Sequence, residues 1–426
     1  MTGPLAGVRV AVPGGGAAAW HAARMLRSLG AEVDSTAEHT GVLRDWAESG
    51  AMALTGRRDG PALVPPGAAA SAVRGALYAL ELLTGATLPG ARVLSERAAL
   101  AGWRRDAPRS VGGALRALRC ADGWLGVNLA RDTDIELLPA WLEEPVSDPW
   151  PALEKILRGR ETAPLVERAR MLGLPAAAWS SVDCPEPFVL NGERGRSQSL
   201  GSAVVVDLSS LWAGPLCGHL LTLLGARVIK VESTHRPDGA RSGPREFYDL
   251  LHAGQESVAV DFTTGEGRRA LRGLVEAADI VIEGSRPRAL RQLGIDADEV
   301  LACAADKCWV SITAYGRDAN AVGFGDDVAL AGGLLAFDPE TGTPAPCGDA
   351  IADPVTGVNA ALVAVACRLA GGRWLADLAM RDQIAATMVG EPEAGDVVAA
   401  APEPRRPAGR APELGVDTAR VLREML

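Results

Sequence analysis

The chain has 426 residues, a formal net charge of −10 and a hydrophobic content of 48%. This length exceeds what one core usually holds, so two or more domains are expected, with apolar residues enough to fill them. The acidic balance excludes a general nucleic-acid binder, and a highly anionic ligand would need basic residues gathered locally.

The opening, MTGPLAGVRV, has no basic segment followed by an apolar core, so no secretory signal is read and a cytoplasmic location is expected. The apolar run 355–367 is too short to span a membrane. Seven cysteines lie scattered without paired spacing, which predicts reduced thiols and no metal site. Val8–Val12 reads as a strand. Gly14–Ala19 after it fits G-x-G-x-x-A, a pattern that can cradle a pyrophosphate at a helix N-terminus. Such matches are common in Ala/Gly-rich chains, and an internal repeat explains the region better.

Further on, 119–145 (RCADGWLGVNLARDTDIELLPAWLEEP) and 163–182 form a separate block, followed by a Pro/Gly/Arg-bearing linker over 184–201. Val204–Glu232, VVVDLSSLWAGPLCGHLLTLLGARVIKVE, reads strand, turn, helix, strand. Val204–Val206 suit a buried parallel strand. Ser209 and Ser210 are candidate helix caps. Leu216, Leu220, Leu223 and Leu224 share a helical face, and Gly225 ends the helix in a left-handed conformation. The segment SVAVDF (Ser257–Phe262) reads as another strand. In 348–357, GDAIADPVTG, Asp353 suits a helix cap and Pro354 the first helical position.

The first hundred residues repeat this pattern. A slide of 195 positions brings Val10 onto Val205, Ala18 onto Ala213, Leu26 onto Leu221, and LGAEV (29–33) onto LGARV (224–228). A slide of 285 lays Ala76-Leu77 on Ala361-Leu362 and sets Ala68 opposite Asp353. The expected organisation is a degenerate copy of this pattern (1–105), a middle unit (106–183), a linker (184–201), a complete copy (202–390) and a tail (391–426).

The strings DLS-x-x-x-AGP, LLGA-x-VIKVE, DIVIEGSRP, VSITAYG, ALAGGL, DPVTGVNAA and PELGVDTARVL, in this order, resemble the family III CoA-transferases, the family that also holds α-methylacyl-CoA racemase. The resemblance runs from Val204 to Leu426. It implies an α/β fold with a Rossmann-like large domain, here in a degenerate and a complete copy, plus a small α+β domain. Family members form interlocked dimers, with active sites between the large domain of one protomer and the small domain of the other. Two large-domain copies in one chain therefore imply either an intrachain pseudo-dimer with one live site or a homodimer.

The resemblance also implies the chemistry. Asp353 matches the aspartate that attacks an acyl-CoA thioester, giving a mixed anhydride and then an aspartyl-CoA thioester. Asp326 falls where transferases carry an active-site glutamate and the racemase its histidine. Trp212 and Ala213 are cofactor-binding candidates beside the substrate, with Trp212 either walling the acyl pocket or serving as one more packed tryptophan. CoA is the expected substrate moiety, with acyl-CoA and carboxylic acids as partners, and no metal, nucleic acid or membrane. Its usual basic and amide contacts are eroded: Ser233, Gln255, Glu256, Gly284 and Gln292 occupy those positions, leaving Arg241, Arg286 and Arg291 as further cofactor-binding candidates. This erosion keeps open an isomerase, racemase or lyase using Asp353 and Asp326 as acid and base, perhaps without CoA, in a specialised biosynthetic pathway. A non-catalytic scaffold is a third reading, opposed by the acids at both positions.

Overall fold

A computed structural model of the chain describes residues 3–180, 186–390, 393 and 395–426. The N-terminal lobe runs β1 (Arg9–Ala11), α1 (Gly16–Ser28), β2 (Glu32–Asp34), α2 (Val42–Glu48), α3 (Ala69–Thr84) and α4 (Glu96–Ala101). β1 and β2 pair in parallel, with Val10 beside Val33. A three-stranded antiparallel sheet follows, made of β3 (Leu115–Arg119), β4 (Trp124–Asn128) and β5 (Ala176–Ala178). Between its last two strands lie α5 (Asp132–Glu136), α6 (Leu138–Leu142), α7 (Pro149–Leu157) and α8 (Thr162–Leu172). This unit has its own core around Leu125, Trp141, Leu153 and Leu165. The expected boundary at 183/184 and the start of the tail at 391 lie outside the described residues.

The third segment starts with β6 (Val189–Glu193), β7 (Val204–Asp207), α9 (Ala213–Leu223), β8 (Arg227–Ser233), α10 (Arg245–His252) and β9 (Glu256–Val260). It continues with α11 (Gly265–Ala277), β10 (Ile280–Glu283), α12 (Pro287–Gln292), α13 (Ala297–Cys303), β11 (Lys307–Thr313) and α14 (Gly325–Ala331). A short hairpin of β12 (Leu335–Phe337) and β13 (Pro344–Pro346) precedes α15 (Ala352–Ala370), β14 (Arg373–Ala379), α16 (Met380–Ala385) and α17 (Thr418–Met425). Seven strands form one sheet in the order β6-β14-β11-β10-β7-β8-β9, parallel except for the edge strand β6. Its six parallel strands have the doubly wound Rossmann order, which reverses between β7 and β10 and opens a crevice at their carboxyl ends. Strands such as β10 (IVIE) and β11 (KCWVSIT) are buried throughout, which explains their unalternating apolar runs.

The N-terminal lobe does not own a separate core. Val73, Ala76 and Leu80 of α3 belong to the same apolar cluster as Leu216 of α9 and Val358 of α15. Small residues set the distances inside it. A Cβ on Gly357 of α15 would lie 2.5 Å from the Ala213 carbonyl oxygen, and one on Gly75 of α3 would lie 2.6 Å from that of Ala18. Each glycine therefore lets two helices meet backbone to backbone. α15 is long and apolar enough by composition to cross a membrane, but 89% of its most apolar stretch is buried here as the central core helix.

Two expectations about caps are corrected. Ser209 and Ser210 do not cap α9: the cap position is Trp212, and the Ser209 hydroxyl is taken by Asp207 two residues earlier. Asp353 lies inside the first turn of α15, whose cap position is Ile351, because the turn at 348–351 already winds the chain into helix. Gly225 does adopt the left-handed conformation, with φ of 91°.

Substituting Gly357→Ala should overpack the α9–α15 contact and destabilise the fold by about 1–3 kcal/mol. Gly159→Ala, whose Cβ would meet nothing closer than 4.0 Å, should stay within about 0.5 kcal/mol of the parent. Urea unfolding of both variants checks the pair.

Candidate functional site

Four stretches of chain converge on one group of carboxylates. The first turn of α15 presents Asp353, half-buried. Its Oδ2 rests against the backbone of Gly325 at the start of α14, where any Cβ would lie 2.1 Å away. One residue on, Asp326 turns into the same space and accepts a hydrogen bond of 2.9 Å from the Ala350 amide. Ala350 has φ of 42° and also accepts from the Asp353 amide at 2.9 Å, so a strained non-glycine residue ties the two acids together. The third acid is Asp349, fully buried.

The counter-charge comes from the N-terminal lobe. Arg97 on α4 donates from Nε and Nη2 to the two oxygens of Asp349, at 2.9 and 2.5 Å. Its guanidinium lies over the Trp212 ring at 4.5 Å and over Trp103 at 5.5 Å. Trp212 is wholly buried and set edge-on to Phe247, with ring centroids 5.3 Å apart. Its indole Nε1 has no hydrogen-bond partner among the described residues.

Burial dominates the protonation of this group. It pushes Asp353 up to about 7, against the pull of Arg97; the Asp326 charge pushes further, while the Ala213 amide favours the ionised form. Asp326 is raised to about 6 by burial and by Asp349, opposed by Arg97, the Ser110 hydroxyl and the Ala350 amide. Neither is a solvated loop residue. Next to them Asp327 is fully buried and lifted to about 7, chiefly by desolvation. It accepts from the Phe324 amide and from Asn128 Nδ2, each at 2.9 Å. Asn128 belongs to β4, so the small antiparallel unit docks on α14 next to the acids. A Cβ on Gly126 would lie 2.9 Å from Leu330, and Trp179 Nε1 donates to the Gly333 carbonyl at 3.1 Å, which shows how closely the two fit.

The residues expected to meet CoA are more dispersed. Arg241 pairs with Glu232, Nε donating at 2.9 Å, and lies 4.6 Å over the Tyr248 ring. Arg291 pairs with Asp296 at 2.6 Å on the surface. Arg286, exposed at the cap of α12, makes no ion pair among the described residues, and neither does Arg288. Gln255 is buried against His252, and Glu256 pairs with Arg227 and Arg420. Gly284 has a local reason: a Cβ there would lie 2.9 Å from that of Ser209 across the β7–β10 crevice. The structure thus brings Asp353, Asp326, Trp212 and Ala213 together, while Arg241 and Arg291 are engaged in ion pairs of their own. Sequence reading missed Arg97, Trp103 and Asp349. Only Asp349 carried a signal, its spacing of four from Asp353.

Residues 200–418 match the family model for CoA-transferase family III. The chain is 30% identical over 180 residues to a succinate–glutarate CoA-transferase of Agrobacterium fabrum, covering 38% of this chain and 45% of that protein. It is 31% identical over 173 residues to a succinyl-CoA–D-citramalate CoA-transferase of Chloroflexus aurantiacus, covering 38% and 43%. The chain thus spans under half the length of these relatives. A solved CAIB/BAIF family protein from Brucella suis shares 30% identity over 45% of this chain and 55% of its own, with a TM-score of 0.41.

A carboxyl group whose pKa is raised on folding makes the folded state bind the proton more tightly than the unfolded one. Its contribution to stability therefore falls as pH rises from about 4 to about 7 and is flat above that. Asp353→Asn removes the buried charge. Its melting temperature should exceed the parent's by a few degrees more at pH 8 than at pH 5, a difference read directly from thermal unfolding at the two pH values.

Proposed function

The chain belongs to CoA-transferase family III, and from that premise we propose that it moves CoA between an acyl-CoA and a carboxylic acid through Asp353. The observation that carries this reading is the seat of Asp353: half-buried, backed by Gly325, faced by the Ala213 amide and raised in pKa. A carboxylate is a weak nucleophile in water. Partial desolvation strengthens it, and a pKa near 7 leaves a large ionised fraction at neutral pH.

The proposed steps balance as follows. An Asp353 oxygen attacks the thioester carbonyl carbon, the C–S bond breaks and CoA leaves as thiolate, giving a mixed anhydride. The thiolate then attacks the Asp353 carbonyl and releases the first acid as carboxylate, leaving an aspartyl-CoA thioester. The acceptor carboxylate attacks that thioester and expels CoA again. Finally the thiolate attacks the acceptor's carbonyl in the new anhydride, forming the product acyl-CoA and freeing Asp353. Asp326 serves as the neighbouring charge that tunes Asp353. Short dicarboxylic acids and their CoA esters are the substrate class to try first, since they are what the named relatives act on. Arg286 and Arg288, exposed where α12 leaves the crevice, are suited to the CoA phosphates.

The site belongs, on this reading, to one chain. Arg97 comes from the N-terminal lobe, Ser110 from the segment that enters the small antiparallel unit, Asn128 from that unit and the acids from the large one. Their convergence within a single chain supports an intrachain pseudo-dimer. The repeat has support of its own, because Gly75 and Gly357 press on Ala18 and Ala213, which the slide of 195 pairs. Matching those glycines sets Ser71, rather than Ala68, opposite Asp353. Ser71 is buried and donates to Asp45 at 2.5 Å, so the equivalent position in the first copy is a structural hydrogen bond.

Incubation with succinyl-CoA or glutaryl-CoA followed by hydroxylamine should mark Asp353 in mass spectra. Asp353→Asn should lower kcat by on the order of 10⁴-fold or more; a fully active variant would reject the mechanism. Light scattering should give a monomer mass, and an active site shown by subunit mixing to need two chains would reject the intrachain assembly.

A further inference from the structure

We propose that Arg97 is the specificity-determining residue that receives a carboxylate of the acid substrate, holding it beside Asp353. This rests on the transfer reading for its purpose but not for its binding chemistry. Both halves of the exchange bring an anionic acid to a place already holding Asp326, Asp349 and Asp353. Such a ligand is repelled unless a fixed cation offsets those charges.

Arg97 meets the requirements of that cation. A guanidinium has five N–H donors in a planar fork. Asp349 takes one from Nε and one from Nη2, and no other hydrogen bond of Arg97 is made among the described residues. Three donors, two on Nη1 and one on Nη2, therefore remain along the outer edge, the geometry that a second carboxylate accepts bidentately. Asp326 and Asp353 act on this guanidinium through charge and not through a hydrogen bond, so neither acid closes that edge. The side chain is 22% exposed, so it is not sealed in the core. Its position is fixed by buried Asp349 and by the rings of Trp212 and Trp103, so little ordering remains to be done on binding.

A second observation points the same way. The Trp212 indole N–H next to the guanidinium is buried and orphaned among the described residues. Buried donors without partners are rare and call for an acceptor, and an acid held at the Arg97 edge brings acceptor oxygens into this neighbourhood. The Arg97–Asp349 pair does not itself satisfy the Trp212 indole. One guanidinium suffices for both half-reactions, because the leaving acid vacates the edge that the incoming acid then takes.

Calorimetric titration of succinate and of glutarate at pH 8, with succinamide as a neutral counterpart, tests this. The parent should bind the dicarboxylates and not the diamide. Arg97→Gln should weaken that binding at least tenfold, Arg97→Lys should fall between, and Asp353→Asn should bind the acids as well as the parent or better. Folding of each variant is checked by circular dichroism. If Arg97→Gln does not fold, Arg97→Lys carries the test, with at least a threefold loss expected. Absence of dicarboxylate binding to the parent, or unchanged binding in a folded Arg97 variant, overturns the proposal. Hydroxylamine trapping on the same samples separates the two readings. Acid binding through Arg97 without modification of Asp353 sinks the transfer mechanism alone; trapping at Asp353 with Arg97-independent acid binding sinks this proposal alone.

Discussion

Three carboxylates share one enclosure with one guanidinium, and that charge balance constrains the rest of the molecule. Taking an ion out of water costs several kcal/mol even after relaxation, and an unpaired buried charge costs more than a paired one returns. Asp349 is stabilised by the Arg97 fork. Asp353 and Asp326 have only backbone amides, a hydroxyl and the diffuse field of the same arginine, so burial wins and both hold their protons to higher pH. Arg97 lies 252 residues from Asp349 in sequence. The N-terminal lobe is therefore part of the electrostatics of the acids and not an appendage to them.

The lobe is clamped at the same point from behind. Glu96, next to Arg97, is wholly buried and takes two hydrogen bonds of 2.8 Å from Arg405 in the stretch that leads to the C-terminus. Arg405 also lies 2.8 Å from Nε2 of His219 on α9. Burial, then the Arg405 charge, push His219 down to about 3. It is neutral at physiological pH and accepts from the arginine, a packing role and not a proton-transfer one. The strap that carries Arg405 is pinned along its course: the Thr387 carbonyl accepts from Ala68, the Ala47 carbonyl from Ala400, and Glu403 pairs with Arg92 at 2.7 Å. Lobe, strap and α9 thus fix the direction of α4, and with it the guanidinium.

Much of this was legible because it is local. The β7–α9–β8 unit, Gly225 and the near-helical placement of Asp353 follow from apolar period and turn chemistry within a few residues. The misses share a physical cause. Ser209 looked like a cap, yet its hydroxyl had a better acceptor two residues back in Asp207, itself held by Lys230. Nothing local announces that β4 will cover Asp327 with Asn128. Arg97 stands in a short, unpatterned helix of the N-terminal lobe, and its partner is visible only when the chain closes on itself. Eroded CoA positions were legible, but the reason for Gly284 was not: the close crossing at Ser209 belongs to the sheet order.

The crevice at the reversal of strand order shows where the chain concentrates its polar groups. Lys230 is fully buried, with Asp207 and Asp238 at 3.6 and 3.1 Å. Burial alone would lower its pKa, but the two carboxylates outweigh it and hold the lysine charged. Asp238 in turn accepts from the Leu211 amide at 3.0 Å, and Leu211 is a non-glycine residue at φ of 72°. Asp238 is oriented by Glu232, whose Oε1 accepts from its amide at 2.8 Å, and Glu232 by Arg241. This chain of ion pairs forces the strained turn that sets Trp212 and the Ala213 amide over Asp353. Arg241 is thereby used to hold the turn. The polar network is rigid at the end where a thioester carbonyl would meet Asp353. At the end where a nucleotide would lie, Arg286 and Arg288 stand exposed on a surface helix. On the transfer reading proposed above, the acyl end of the ligand meets this fixed polar network, and its nucleotide end meets the exposed arginines of α12.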